Sequence, residues 1–179
     1  MPRKTPNATI CREMRFSLVG IITTIALCLT SCARNSVDIC RTDFGRVVLV
    51  DGGDSTAAIL HIADSGDTLS DWRLHHPVYH YDYGDVNGDA LPEIVVGVTK
   101  KTRYWRDEDK RLFIFKLYDG RLIRPLWLGS RLGCPIETFR IERDSMPARI
   151  VSTERCGDSI VNVMYRIKGF GVKFECYLK

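Results

Sequence analysis

From residue 46 onward, apolar and polar positions change over in short runs divided by turn-forming residues, the pattern of half-buried β-strands. Strands are predicted over 46–50, 57–62 and 69–74, separated by Asp51-Gly52-Gly53-Asp54-Ser55 and Asp64-Ser65-Gly66-Asp67. The run 93–99 is the most apolar of all, and is expected at the centre of its sheet because a strand covered on both faces loses its alternation. Runs at 112–117 and 122–128 flank the turn Tyr118-Asp119-Gly120, and 137–141, 148–153, 160–167 and 171–178 repeat the scheme. Beyond residue 32 no stretch holds apolar residues at i, i+3, i+4, i+7 between capping residues, so no helix is predicted.

The strands recur because the chain repeats itself. Asp64 to Trp72 and Asp119 to Trp127 are the same step 55 positions apart, and Asp89-Ala90-Leu91-Pro92 stands 55 before Asp144-Ser145-Met146-Pro147. At a shift of 50, Phe115, Leu117, Trp127 and Leu128 fall on Tyr165, Ile167, Tyr177 and Leu178. Trp72 and Trp127, at repeat positions, are expected to pack rather than to bind.

One stretch carries candidate chemistry: Gly84-Asp85-Val86-Asn87-Gly88-Asp89-Ala90-Leu91-Pro92-Glu93 followed by Ile94-Val95-Val96-Gly97. Oxygen-bearing side chains alternate with small or turn-forming residues, a layout that suits a hard cation, which takes six to eight oxygens at about 2.3–2.6 Å. The plain alternative is that Asn87-Gly88 closes a hairpin and the acids are solvated. These fourteen residues resemble an FG-GAP or VCBS-type repeat, the blade unit of integrin-α-like β-propellers, with a looser resemblance over roughly 46–178. The resemblance implies side-chain calcium ligands at Asp85, Asn87, Asp89 and Glu93, a carbonyl ligand at Leu91, and a four-stranded antiparallel blade with the loop between its first two strands. Two departures stand out: Ala90 takes the usual place of a glycine, and Glu93 that of an aspartate. In the next copy Arg140, Glu142 and Asp144 fall at the corresponding places, and Arg140 brings a cation where a ligand belongs.

The expected fold is therefore all-β: about three antiparallel four-stranded blade-like meanders, a partial or small β-propeller-like body over 46–179. Closed propellers use four or more blades, so an open curved stack, a sandwich-like arrangement or closure by a partner all remain open.

The amino-terminal part changes the expected address. Behind Arg12 and Arg15, residues 16–29 form an apolar run too short for a bilayer span and suited to a signal peptide. It ends in Leu29-Thr30-Ser31-Cys32, which resembles the lipobox of bacterial lipoproteins; the resemblance implies cleavage after residue 31 and acylation of Cys32, with chains such as palmitate holding the protein on a membrane. A plain secretory signal is the alternative, and Met14 would make a more compact start. Residues 32–45 are expected to be a tether. No acidic cluster follows Cys32, which tilts the expected face toward the periplasm. Of the 26 basic and 22 acidic residues, four bases and one acid lie in 1–31, so the remainder is close to neutral. That balance gives no electrostatic case for nucleic acid.

Cys40, Cys134, Cys156 and Cys176 allow three disulfide pairings and lack the CxxC spacing of zinc or redox sites. His75, His76, His80 and Asp82 could build a metal site, though no second cluster supplies distant ligands. No G-x-S-x-G elbow occurs, and Asp107 and Asp109 read as members of a charged loop. Within 100–111, Tyr104 and Trp105 amid charges suit contact with a protein or glycan partner. The expected function is a membrane-anchored, non-catalytic binding or scaffold lipoprotein of the bacterial cell envelope with a structural calcium loop. The alternative is an envelope glycan hydrolase or metal-dependent enzyme using the His75/His76/His80/Asp82 region.

Overall fold

Among the described residues, the turn residues and the two-residue period are realised as twelve strands. The computed structural model describes residues 35–52, 56–101, 107–129 and 131–179. The first sheet holds β1 (Asn35–Thr42), β2 (Gly45–Asp51), β3 (Ala58–Ile62) and β4 (Thr68–Arg73). The second holds β5 (Val78–Gly84), β6 (Glu93–Lys100), β7 (Asp109–Tyr118) and β8 (Leu122–Leu128). The third holds β9 (Ile136–Glu142), β10 (Arg149–Cys156), β11 (Ser159–Lys168) and β12 (Gly171–Leu178). Each sheet is an antiparallel meander in which sequence neighbours pair, and no helix occurs among the described residues.

The second sheet is buried on both faces. Ile94, Val96, Phe113 and Phe115 pack against Val47, Leu49 and Ile59 of the first sheet, with the Trp72 ring 5.7 Å from that of Phe115. Val95, Leu112 and Ile114, of opposite parity, pack against Phe139, Ile141, Ile150 and Val163 of the third. This double coverage is why the 93–99 run shows no alternation. His61, fully buried, fastens the first two sheets: its ring lies 3.0 Å from Thr42 Oγ1 and 2.9 Å from the Arg121 carbonyl oxygen.

Three expectations need correction. The stretch 32–45, read as a tether, contains strand β1, which pairs along β2 and buries Ile39 and Cys40 at a bulge. That bulge breaks the alternation by which a strand is recognised. Asp109 is not a loop acid; it stands in β7 and binds the buried Arg111 guanidinium at 2.6 Å.

The third correction concerns the last repeat. Ile114 faces Trp127 and Phe113 faces Leu128, whereas Met164 faces Cys176 and Val163 faces Tyr177. Phe115 and Tyr165 therefore correspond, as do Leu117 and Ile167, but Cys176 takes the place of Trp127 and Tyr177 that of Leu128. The cause is the hairpin turn: three residues separate Tyr118 from its partner Leu122, and two separate Lys168 from Gly171. One residue fewer reverses the face of every side chain beyond the turn.

Of the three cysteine pairings, one bridge forms, Cys134–Cys156. Cys40 is a buried thiol and Cys176 an exposed one.

Candidate functional site: the acidic loop between β5 and β6

The loop 85–92 leaves β5 at Gly84 and enters β6 at Glu93, which face each other in the ladder. Its backbone is held by its own side chains. Asp85 Oδ1 accepts the N–H groups of Gly88 at 2.6 Å and Asp89 at 3.1 Å, and Oδ2 accepts that of Ala90 at 2.9 Å. Asn87 Oδ1 accepts from Asp89 N at 2.7 Å, and Asp89 Oδ1 from Leu91 N at 3.0 Å. Such side-chain to backbone bonds are what Asp and Asn offer in turns. Two residues adopt the left-handed conformation, Gly88 at φ 87° and Ala90 at φ 67°. At Ala90 the β-carbon makes this unfavourable by about 1–2 kcal/mol.

Glu93 reaches back into the loop despite standing on the strand. Its Oε2 accepts from Val86 N at 3.0 Å and Asn87 N at 3.1 Å, and its Oε1 from Asn87 Nδ2 at 2.6 Å. The residue is fully buried. Burial pushes its carboxyl up to about 8, against the backbone N–H bonds that lower it, and the carboxylates of Asp89 and Asp85 add to the rise.

Asn87 Nδ2 also donates to Asp89 Oδ2 at 3.0 Å, so one amide group bridges two carboxylates. The donor set is all oxygen, as a hard cation requires, and an N–H₂ group serves as the positive partner between Asp89 and Glu93. The three acids alone do not converge: among the described residues, the trio of thiol, acid or imidazole groups with ligand atoms within 4.8 Å of one another is Cys134, Glu154 and Cys156. Its two sulfurs form the disulfide and so lack the thiolates a metal binds.

The loop sits on the seam between the second and third sheets. Ala148 N donates to the Asp85 carbonyl oxygen at 2.7 Å, and a β-carbon at Gly88 would lie 3.3 Å from Pro147. One turn away, Asp82 accepts from Ile141 N at 2.6 Å and pairs with Arg143, whose guanidinium lies over the Tyr83 ring. The loop between β9 and β10 is two residues shorter, 143–148 against 85–92, so Arg140 and Glu142 stand in β9 rather than in a loop. There they pair with each other at 3.4 Å. Opposite Glu142, where the second sheet has Glu93 opposite Gly84, stands Arg149.

The histidines are not brought together. The His76 ring meets Phe113 on the side of the first sheet, and the His80 ring meets Phe139 on the side of the third, at centroid distances of 6.0 and 4.8 Å. Burial, with help from Lys100 and His75, lowers the His76 pKa. Asp82 is committed to Ile141 and Arg143, as described. Tyr104, Trp105 and Cys32 lie outside the described residues.

Sequence reasoning missed Glu154, which lies buried among the hydroxyls of Ser152 and Tyr165. Its signal was parity: it alternates with Ile150 and Ser152, which points it to the buried face. No family model, curated protein or solved structure matches the chain.

Proposed function

We propose that this chain is a membrane-anchored, non-catalytic binding or scaffold lipoprotein of the cell envelope, in which the acidic loop is a structural calcium site. What supports the reading is the way the loop is built into the seam: its side chains hold its own backbone, and that backbone holds the third sheet through Ala148. Asp85, Asn87, Asp89 and Glu93 would hold the cation, with Leu91 completing the set through its carbonyl. Bound there, calcium supplies positive charge to carboxylates that otherwise share a single amide. The residues' own work is to stiffen the 85–92 turn and so fix the angle at which the third sheet leaves the second. Cys32 would carry the acyl chains. The enzymatic alternative draws little support, since His76 and His80 lie on opposite sides of the second sheet and Asp82 is already engaged.

Calcium-dependent melting tests the loop. A ligand at a hundred times its Kd stabilises by about 2.7 kcal/mol, so millimolar calcium should raise the Tm by several degrees, and Asp85→Asn should abolish the rise. An unchanged Tm would discard the cation. Fractionation tests the anchor separately: Cys32→Ser should move the protein from the membrane fraction, and retention there would discard acylation as the anchor.

A further inference from the structure

The two seams between sheets are built from corresponding residues and close differently. Trp72 faces Ile59 and Trp127 faces Ile114, so the two tryptophans hold the same place in successive sheets, as Phe115 and Tyr165 do. In the first seam the Trp72 ring lies 5.7 Å from that of Phe115. In the second, among the described residues, no ring contact joins Trp127 to Tyr165. The hydroxyl that distinguishes tyrosine from phenylalanine accounts for this: it donates to Glu154 Oε1 at 2.8 Å and accepts from Gly133 N at 3.1 Å, which holds the ring to its own sheet. Beside the separated rings lies a cavity of about 510 Å³, within the size range of small-molecule sites.

Trp127 of β8 stands on one side of this cleft, and Tyr165, Phe174 and Tyr177 on the other. The last three rings make a stepped row: Tyr165 to Phe174 spans 6.3 Å at an interplanar angle of 83°, and Phe174 to Tyr177 spans 5.1 Å at 61°. Exposure climbs along it from 4% at Tyr165 through 46% at Phe174 to 65% at Tyr177. One residue fewer in the β11–β12 turn is what brings Tyr177 to this face. Polar groups accompany the rings in the lining: the Trp127 indole N–H, the Tyr177 hydroxyl, and the Glu154 carboxylate. Of the roughly four acceptor sites on that carboxylate, the hydroxyls of Ser152 and Tyr165 and the Cys134 N–H take three.

We infer that this cleft binds a neutral oligosaccharide chain that enters past Tyr177 and brings its end unit in beside Trp127. A pyranose ring has apolar C–H faces and a rim of hydroxyls, so its faces lie against aromatic walls while its rim meets the polar groups among them. The steps decide between flat ligands. Because adjacent rings of the row are turned steeply from one another, a rigid planar ligand such as a nucleobase lies against one ring only. Sugar units rotate relative to one another about their glycosidic bonds, so a chain of them takes successive steps. Charge does not enter the choice, since the lining holds both a carboxylate and a guanidinium, Glu154 and Arg131. The inference names the ligand class within the binding-module reading and rests on that reading, but uses neither the loop cation nor the anchor.

The test is isothermal titration of the full chain with maltopentaose, cellopentaose and N-acetylchitopentaose, each beside its disaccharide, with adenosine as the planar comparison. At least one pentasaccharide should bind, more tightly than its disaccharide, and adenosine should not. Tyr177→Ala, at an exposed ring outside the core, should weaken that pentasaccharide roughly three- to tenfold and leave its disaccharide nearly unchanged. Binding should alter the tryptophan fluorescence, and Trp127→Phe, which keeps an aromatic wall, should remove that signal. No binding of any pentasaccharide, adenosine binding as tightly, no gain over the disaccharide, indifference to Tyr177→Ala, or a fluorescence change that survives Trp127→Phe would each overturn the inference. None of those outcomes alters the calcium or fractionation results, so failure of the cleft is distinguishable from failure of the wider reading.

Discussion

Ala90 holds a φ of 67°, a conformation its β-carbon resists. The turn around it leaves no choice, because Asp85 Oδ2 is bonded to the Ala90 N–H and Asp89 to that of Leu91. Ala90→Gly relieves the clash while adding chain entropy to the unfolded state. The net expectation is a gain of about 0.5–1 kcal/mol, read from urea denaturation. Three residues on, Glu93 has a carboxyl pushed up to about 8, chiefly by burial. A raised acid binds its proton more tightly folded than unfolded, so in chelator its contribution to stability is complete below about pH 4.5 and lost as pH climbs toward 8. Glu93→Gln should flatten that slope in melts taken across the range; an equal slope in the variant would assign the loss elsewhere.

The β11–β12 hairpin shows what one residue does to an element. Its turn is one shorter than that of β7–β8, and the result is that an exposed thiol, Cys176, stands where the earlier copy has Trp127. Tyr177 is thereby turned toward the cleft. The disulfide acts on a neighbouring element: it ties the approach to β9 to the end of β10 across a separation of 22 residues. A loop of that size restricts the unfolded chain by about 3 kcal/mol. Reduction should lower the denaturation free energy by about that amount, and mass shifts after native alkylation should show Cys176 labelled before Cys40. The Cys40 thiol is buried and its pKa raised to about 11, so it offers little thiolate.

Taken whole, the three sheets form a row with the second in the middle, and the cores on its two faces share the strands β6 and β7. Phe115 faces one core and its neighbour Ile114 the other, both fully buried. Phe115→Ala should cost about 3–5 kcal/mol, and fluorescence and circular dichroism should report one coincident transition. The row ends in a polar surface. On the face of the third sheet turned away from the second, Thr153 Oγ1 donates to Asn162 at 2.8 Å and Arg149 pairs with Glu175 at 2.7 Å. A polar outer face is how a stack of repeats is capped.

Most strands could be read directly, because alternation and turn residues are local and each is set by a few neighbouring side chains. Strand β1 escaped because its bulge and its polar ends hide the period. The acidic loop was legible in kind, and the strain at Ala90 was foreseeable from the missing glycine. Its hydrogen bonds were not, since Glu93 meets Asn87 only once β6 has paired with β5. The cleft could not be read at all: Trp127, Glu154 and Tyr177 belong to three strands, and they share a wall only after registers and sheet order are fixed. Local chemistry chose the strands and the turn. Long-range pairing, whose register one residue of turn length can invert, chose which side chains meet.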